Sequence, residues 1–392
     1  MRAEVVLLDR SITIIAETDY IGQTDFTGSN VDEEPWGCRV LVADWIDNGH
    51  ELPEATGSYY PRRGEVHLDH VEVSGCSQRG TWRAAVQFTT ATGGENNYIT
   101  NSAIHSGKAV GVLFDRSANI LFENNSVVDF VEHGIWAKGS SSLTINNNWI
   151  FHIWPQDYYF ETGPVMFEYT GWTGCVTISD QNFQYNSKLV VTNNVAASCW
   201  HHGFHYQPLD CDEVVDENTH TKFENNIAHS VSGYGAIAAN VQGNPACTEV
   251  KDFTAYKCTE SSIHLGGNSD INRAKNIVTI DCGYGLGIHG SGCGSVEAID
   301  CKIYGENREN YDCPDGSCDS CIDRYGLTLA ALWTDVHRDK ETEHWEFLPI
   351  GNYSDCFTAK ATYTNIEFHR FESGTVDGDN REANEASCDG AR

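Results

Sequence analysis

His201, His202 and His205 fall in one short stretch between Trp200 and Tyr206. Imidazole is the side chain best suited to bind a metal or move a proton near neutral pH, and flanking aromatic rings could form a sugar platform. A plain loop rich in aromatics and histidine is the simpler account. Asp115-Arg116 is the nearest local pairing of acid and base of the kind a Ca²⁺-assisted lyase needs, and a surface salt bridge explains it better. Fifteen cysteines make the third chemical set. No paired CxxC modules at zinc-ribbon spacing accompany them, so they read as the cysteines of an oxidising compartment, with at least one left over because the number is odd.

Charge narrows the partners. With 56 Asp+Glu against 25 Lys+Arg, the formal charge of −31 repels nucleic acid and anionic lipid. The same carboxylates make Ca²⁺ the one cofactor the composition points to, and no other is expected. No apolar run approaches membrane-spanning length. Met1 to Asp9 carries charge where a signal peptide needs an apolar stretch, so a secreted chain would be read here as a fragment.

The elements that must position these groups are legible as repeats. Asn101, Asn125, Asn148, Asn194 and Asn226 each follow a short apolar run, at intervals of 24, 23, 46 and 32. About half a repeat later come Val110-Gly111-Val112, His133-Gly134-Ile135, His202-Gly203-Phe204, Tyr234-Gly235-Ala236 and Tyr284-Gly285-Leu286. A period in the low twenties, with β-branched strands and Asn or Gly at the corners, predicts an all-β, right-handed parallel β-helix with side loops. Coils stacked about 4.8 Å apart would bury a continuous core. Corner asparagines tolerate a left-handed backbone, and their stacked amides can hydrogen-bond from coil to coil. The 36 Gly against 9 Pro and 2 Met, with 40% hydrophobic residues, agree with many turns around one core.

This places an N-terminal coil or domain end with a lateral excursion at 1–66, the β-helix at 67–372, and a polar tail at 373–392. Over-long coils put loops near 154–186, 205–220 and 305–323. Cys258, Cys282 and Cys301 fall at one repeat position and should stack, so that one pair could bond and leave the third thiol buried. Burial of all three as small apolar groups is the simpler alternative. Cys313, Cys318 and Cys321 would hold their excursion by disulfides, Cys199 would close a loop with Cys211, and Cys38 would reach Cys76. Two N-x-S/T sequons, at Asn124 and Asn352, are glycosylation candidates.

A family resemblance rests on particular residues. Arg2 to Ile14 is similar to the junction where the eight-glycine domain of fibrocystin-type proteins passes into a β-helix. His67-Leu68-Asp69-His70-Val71-Glu72-Val73-Ser74-Gly75-Cys76, then Asn101 to His105, Lys108 to Val112 and Ile120 to Asn125, resembles the coils of fibrocystin-like proteins and of the related hyaluronan-depolymerising surface proteins. The likeness is good over about the first 150 residues. Where the hyaluronan-active branch carries His-Phe-His, this chain has Gln87-Phe88-Thr89, so both histidines are missing. The Asn-Thr-Asp, Asp-Asp and Arg-x-Lys set of pectin hydrolases is also missing, and Ile288-His289-Gly290-Ser291-Gly292 echoes only a fragment of it. The resemblance therefore implies a large extracellular or ciliary-surface protein whose β-helix is a rigid arm, and the ladders, the cysteines and the missing acid set predict a non-enzymatic structural protein of a cell-surface or ciliary coat, or of an extracellular filament such as a flagellar hair. Its expected partners are further copies, other extracellular or surface proteins, and glycans. The alternative is a carbohydrate-active β-helix enzyme or lectin acting on an extracellular polysaccharide.

Overall fold

The computed structural model describes residues 12–15, 37–47, 60–78, 83–92, 97–155, 173–178, 188–206, 222–240, 247–267, 271–291, 295–305, 325–333, 335–338, 345–348 and 361–369. The chain divides into two compact units, residues 1–207 with 215–226, and residues 208–214 with 227–392.

The first unit winds through three parallel sheets. One runs Ile12–Ile15, Val71–Ser74, Ala103–His105, Ser126–Val131, Trp149–Trp154 and Val195–Cys199; the second runs Val40–Ala43, Val86–Thr89, Val112–Asp115, His133–Lys138, Gly174–Ile178 and His202–Tyr206. The third runs His67–Asp69, Asn97–Thr100, Ala118–Glu123, Ser141–Asn146, Val190–Thr192 and Lys222–Glu224. Successive rungs pair in register, as in Val112 with Ile135 and Ile120 with Leu143. Period-2 alternation turns Leu143 and Ile145 inward, and the alternation shifts where a left-handed residue intervenes. Asp129, His152 and Ser198 are such residues at matching positions, and Phe130, Ile153 and Cys199 just after them are buried. Phe88 and Phe114 stack at 5.4 Å inside the coil, and Phe122 meets Phe114 edge-on. Gly134 must lack a side chain, because a Cβ there would collide with Ile150 and the Cys175 carbonyl.

The asparagine corner divides its work between adjacent residues. Asn101, Asn124, Asn147, Asn193 and Asn225 take positive φ between 49° and 59°. The next residues, Ser102, Asn125, Asn148, Asn194 and Asn226, are buried and form the hydrogen-bonded ladder. Asn125 Oδ1 accepts from the Ser102 N–H, Asn148 Oδ1 from Asn125, Asn194 Oδ1 from Asn148, and Asn226 Oδ1 from Asn194, all at 2.9–3.1 Å. Each Nδ2 also donates to a backbone carbonyl, of Ile99, Phe122, Ile145 and Val191 in turn. Asn101 is thereby corrected: it is a left-handed corner residue, and its side chain binds Asp69 at 2.8 Å while Ser102 takes the ladder place.

The second unit uses longer strands. Ile227–Val231, Cys247–Cys258, Ile271–Ile280, Ser295–Ile299 with Lys302–Tyr304, and Ala361–Thr364 with Glu367–His369 form one sheet; Tyr234–Asn240, Ser261–Gly267, Tyr284–Ser291 and Tyr325–Trp333 form another. The left-handed corner persists at Asp252, Asn276, Asp300 and Asn365, but the buried residue after it is Phe253, Ile277 or Cys301 rather than Asn. Glu249, Arg273 and Glu297 share a register, and Arg273 bonds both carboxylates, Nε to Glu297 at 2.7 Å and Nη1 to Glu249 at 3.2 Å. Removing the cation takes from the buried Glu249 and the part-exposed Glu297 the positive charge they share. Arg273→Met should therefore lower stability by about 3–5 kcal/mol, read as a drop in the urea midpoint.

Two expected boundaries change. Val40–Ala43 is a rung of the second sheet rather than part of an excursion, whereas Trp45–Asp47 and Tyr60–Arg62 pair with each other antiparallel. Gly174–Ile178 interrupts the expected 154–186 loop, because Val176 and Ile178 supply two more core positions in register with Ile135 and Ala137. Residues 207–221, 306–324 and 370–392 lie outside the described residues, and with them most of two expected loops and the tail. Among the described residues no helix is long and apolar enough to cross a membrane.

Candidate functional site

The densest set of chemically capable side chains lies on three neighbouring rungs of the second sheet in the first unit. His133, Gly174 and His202 share one register, and Thr177 and His205 share another next to Trp136. Glycine at 174 is what admits His202: a Cβ there would occupy the place of the His202 ring, which instead reaches Thr177. His133 Nδ1 lies 2.9 Å from Thr177 Oγ1, His202 Nε2 lies 3.2 Å from the same hydroxyl, and His202 Nδ1 lies 3.1 Å from His201 Nδ1. His205 packs against His202 at 5.2 Å, Trp136 against His133 at 4.9 Å, and the Lys138 ammonium sits 4.8 Å from the Trp136 ring centre.

Each link of this chain takes one proton. If Thr177 donates to His133, it must accept from His202 Nε2–H, and the Nδ1 of His202 must then accept from His201. The reverse order satisfies every link equally, so the tautomers of three rings are coupled through one hydroxyl. Burial sets the charges. It depresses His133 to about 3, with His205 adding to the effect, and His205 to about 4, with His201 adding. Burial also drives His202 well below its ordinary value, helped by its three histidine neighbours. Glu132 is pushed up to about 8 by burial, which keeps the carboxyl protonated at neutral pH. His133, His202 and His205 are thus held neutral and buried at pH 7. At the cluster's margin, Trp154 and Trp200 occupy equivalent positions on neighbouring rungs, 52% and 46% exposed.

His201, His202 and His205 are therefore brought together, with His133 and Thr177 added from earlier coils. The recurring His133-Gly134 and His202-Gly203 pairs carried the signal for His133, but read as corner spacers they hid it. Among the described residues no group of three or more His, Cys, Asp or Glu is arranged to hold a metal ion. Asp115 and Arg116 bond each other through two contacts of 3.1 Å. The Asn124 side chain is exposed but accepts a hydrogen bond from Asn147 at 2.6 Å. Asn352, Cys211, Cys313, Cys318 and Cys321 lie outside the described residues.

The cysteines re-sort. Cys38 and Cys76 are bonded to each other. Cys199 is bonded to Cys175 rather than to Cys211, because the rung Gly174–Ile178 brings Cys175 to the corner where Cys199 turns inward. Cys258, Cys282 and Cys301 are all buried thiols. Cys301 also leaves the stack: Val278 pairs with Lys302, so Cys301 stands beside Ile277 while Cys258 and Cys282 share the other end of the strands.

Comparison with known proteins agrees with this architecture. The family profile described as "Right handed beta helix region" matches residues 54–155. Fibrocystin-L of Homo sapiens is 24% identical over 296 residues, 73% of this chain and 6% of that protein; fibrocystin-L of Mus musculus is 23% identical over 298 residues, 71% and 6%. The chain thus spans 6% of the length of these relatives. Similar solved structures include the periplasmic alginate epimerase AlgG, at TM-score 0.39 and 9% identity over 76% of this chain and 58% of that one. The Agl-KA catalytic domain follows at TM-score 0.36 and 13% identity over 78% and 56%. Parallel rungs in register, left-handed corners and the profile match make this chain a right-handed parallel β-helix protein with sequence similarity to fibrocystin-L.

Proposed function

We propose that this chain is a non-enzymatic extracellular or cell-surface scaffold, a stiff β-helix that assembles with further copies or with other surface proteins into a coat or filament of the ciliary or flagellar kind. The observation that carries this reading is the buried amide ladder from Asn125 to Asn226, which ties rung to rung through side chains as well as through the sheets. Two disulfides of the same unit, Cys38–Cys76 and Cys175–Cys199, favour an oxidising compartment. Assembly is supported by the outermost described strands. Ile12 and Ile15 of the first unit are 57% and 52% exposed, and Tyr363 and Phe368 of the second are 71% and 51% exposed. A strand edge that carries apolar side chains is a template for another chain.

A second reading, a polysaccharide-acting enzyme or lectin, is favoured by one observation, the paired exposed Trp154 and Trp200 beside the histidine relay. The purified chain, imaged by negative stain across Ca²⁺ concentration and pH and then applied to a glycan panel, separates the two. End-to-end particles with no glycan turnover are expected. Dispersed single particles under every condition would remove the filament, and turnover would remove the scaffold.

A further inference from the structure

Cys258 ends the strand Cys247–Cys258, and Cys282 follows the strand Ile271–Ile280 one coil later. Tyr256 pairs with Ile280, which puts the two cysteines in register, and the Gly283 N–H donates to the Cys258 carbonyl at 3.0 Å. Each follows a left-handed residue, Lys257 with φ 54° or Asp281 with φ 52°, that turns the next side chain inward. The two thiols hydrogen-bond to each other. Neighbouring strands lie about 4.8 Å apart, inside the window of about 4.4–6.8 Å that a disulfide spans between Cα atoms. Cys76 and Cys199 likewise follow left-handed residues, Gly75 and Ser198, at strand ends in the first unit, and both are bonded.

We propose that Cys258 and Cys282 close a third disulfide, from one coil to the next, when the chain matures in an oxidising compartment. The oxidant is a small external disulfide such as glutathione disulfide. Cys282 is the attacking group: it is 7% exposed against 2% for Cys258, and the hydrogen bond from Cys258 holds its thiol below the ordinary range. After giving its proton to solvent, Cys282 Sγ attacks one external sulfur, and the other leaves as a thiolate that takes up a proton. Cys258 then loses its proton and attacks Cys282 Sγ, which expels the second external thiol. Two protein thiols are oxidised and one external disulfide is reduced to two thiols. Cys301 takes no part, because it stands beside Ile277 and burial pushes its thiol up to about 11.

The test uses the whole chain, folded in a buffer of reduced and oxidised glutathione, unfolded in acid, alkylated without reduction and digested. A peptide pair joined through Cys258 and Cys282, with Cys301 alkylated, is the expected result. Alkylation of both Cys258 and Cys282, or a bridge from either to any other cysteine, would overturn the assignment.

Discussion

Acidification from pH 6.5 to 4.5 should unfold this protein steeply, and the cause is the histidine relay. His133, His202 and His205 all bind protons more weakly when folded than the ordinary histidine value of 6.5, at about 3 for His133 and about 4 for His205. Below pH 6.5 the unfolded chain takes up three protons that the folded chain refuses, so stability is full above that pH and is lost as pH falls. Each ring weakens the folding equilibrium about tenfold per pH unit. Glu132 has the opposite sign. Its folded value of about 8 lies above the ordinary 4.5, so its contribution is full below pH 4.5 and is lost as pH rises through 8. Between pH 4.5 and 6.5 three rings oppose one carboxyl, and the net loss on acidification is about a hundredfold per pH unit, or about 3 kcal/mol. The urea midpoint, followed by tryptophan fluorescence, should fall across that range and decline gently again above pH 7. His205→Gln should flatten the acid limb, and Glu132→Gln should remove the alkaline decline. A midpoint level from pH 4.5 to 6.5 would mean that the rings are not buried neutral.

The sequence shows the repeat and conceals its phase. A corner that must adopt a left-handed backbone and also satisfy buried amides selects Asn twice in succession, so Asn124-Asn125, Asn147-Asn148, Asn193-Asn194 and Asn225-Asn226 announce the period. The doubling also hides which residue does which task, and the earliest of the asparagine corners, Asn101-Ser102, has only one Asn and slips by one place. The interval of 24 from Asn101 was the trace of that slip, since Ser102 to Asn125 is 23 residues like the interval that follows. The cysteine column erred for a related reason. Strand Ile271–Ile280 bends through a corner at Asn276, so Cys301 and Cys282 stand at different ends of one rung although both follow an aspartate. The histidine relay was half legible: 201, 202 and 205 are neighbours in the chain, but 133 and 177 join them only once coils are wound.

The ladder prediction follows from that doubling and sets two adjacent asparagines against each other. Asn148 makes four side-chain hydrogen bonds: Oδ1 accepts from the Asn125 N–H at 2.9 Å and from Asn125 Nδ2 at 3.1 Å, while Nδ2 donates to the Phe122 carbonyl at 2.9 Å and to Asn194 Oδ1 at 3.0 Å. Asn148→Ala leaves the Asn125 backbone N–H, one Asn125 amide hydrogen and a Phe122 carbonyl lone pair facing a cavity too buried for easy hydration. At about 1–3 kcal/mol for each stranded group, the loss should be about 4–6 kcal/mol. Asn147 is exposed, and its contribution is mainly its left-handed backbone, with φ 54°. Asn147→Ala should therefore cost only about 1–2 kcal/mol, and Asn147→Gly close to nothing, because glycine adopts that conformation freely. Asn148→Gly must fail as badly as Asn148→Ala, since freedom of the backbone does nothing for the stranded donors. Urea unfolding of the four variants measures the contrast. Equal losses at the two positions would show that the column is held by corner geometry alone, and the interlocked amides would no longer account for the proposed stiffness of these coils.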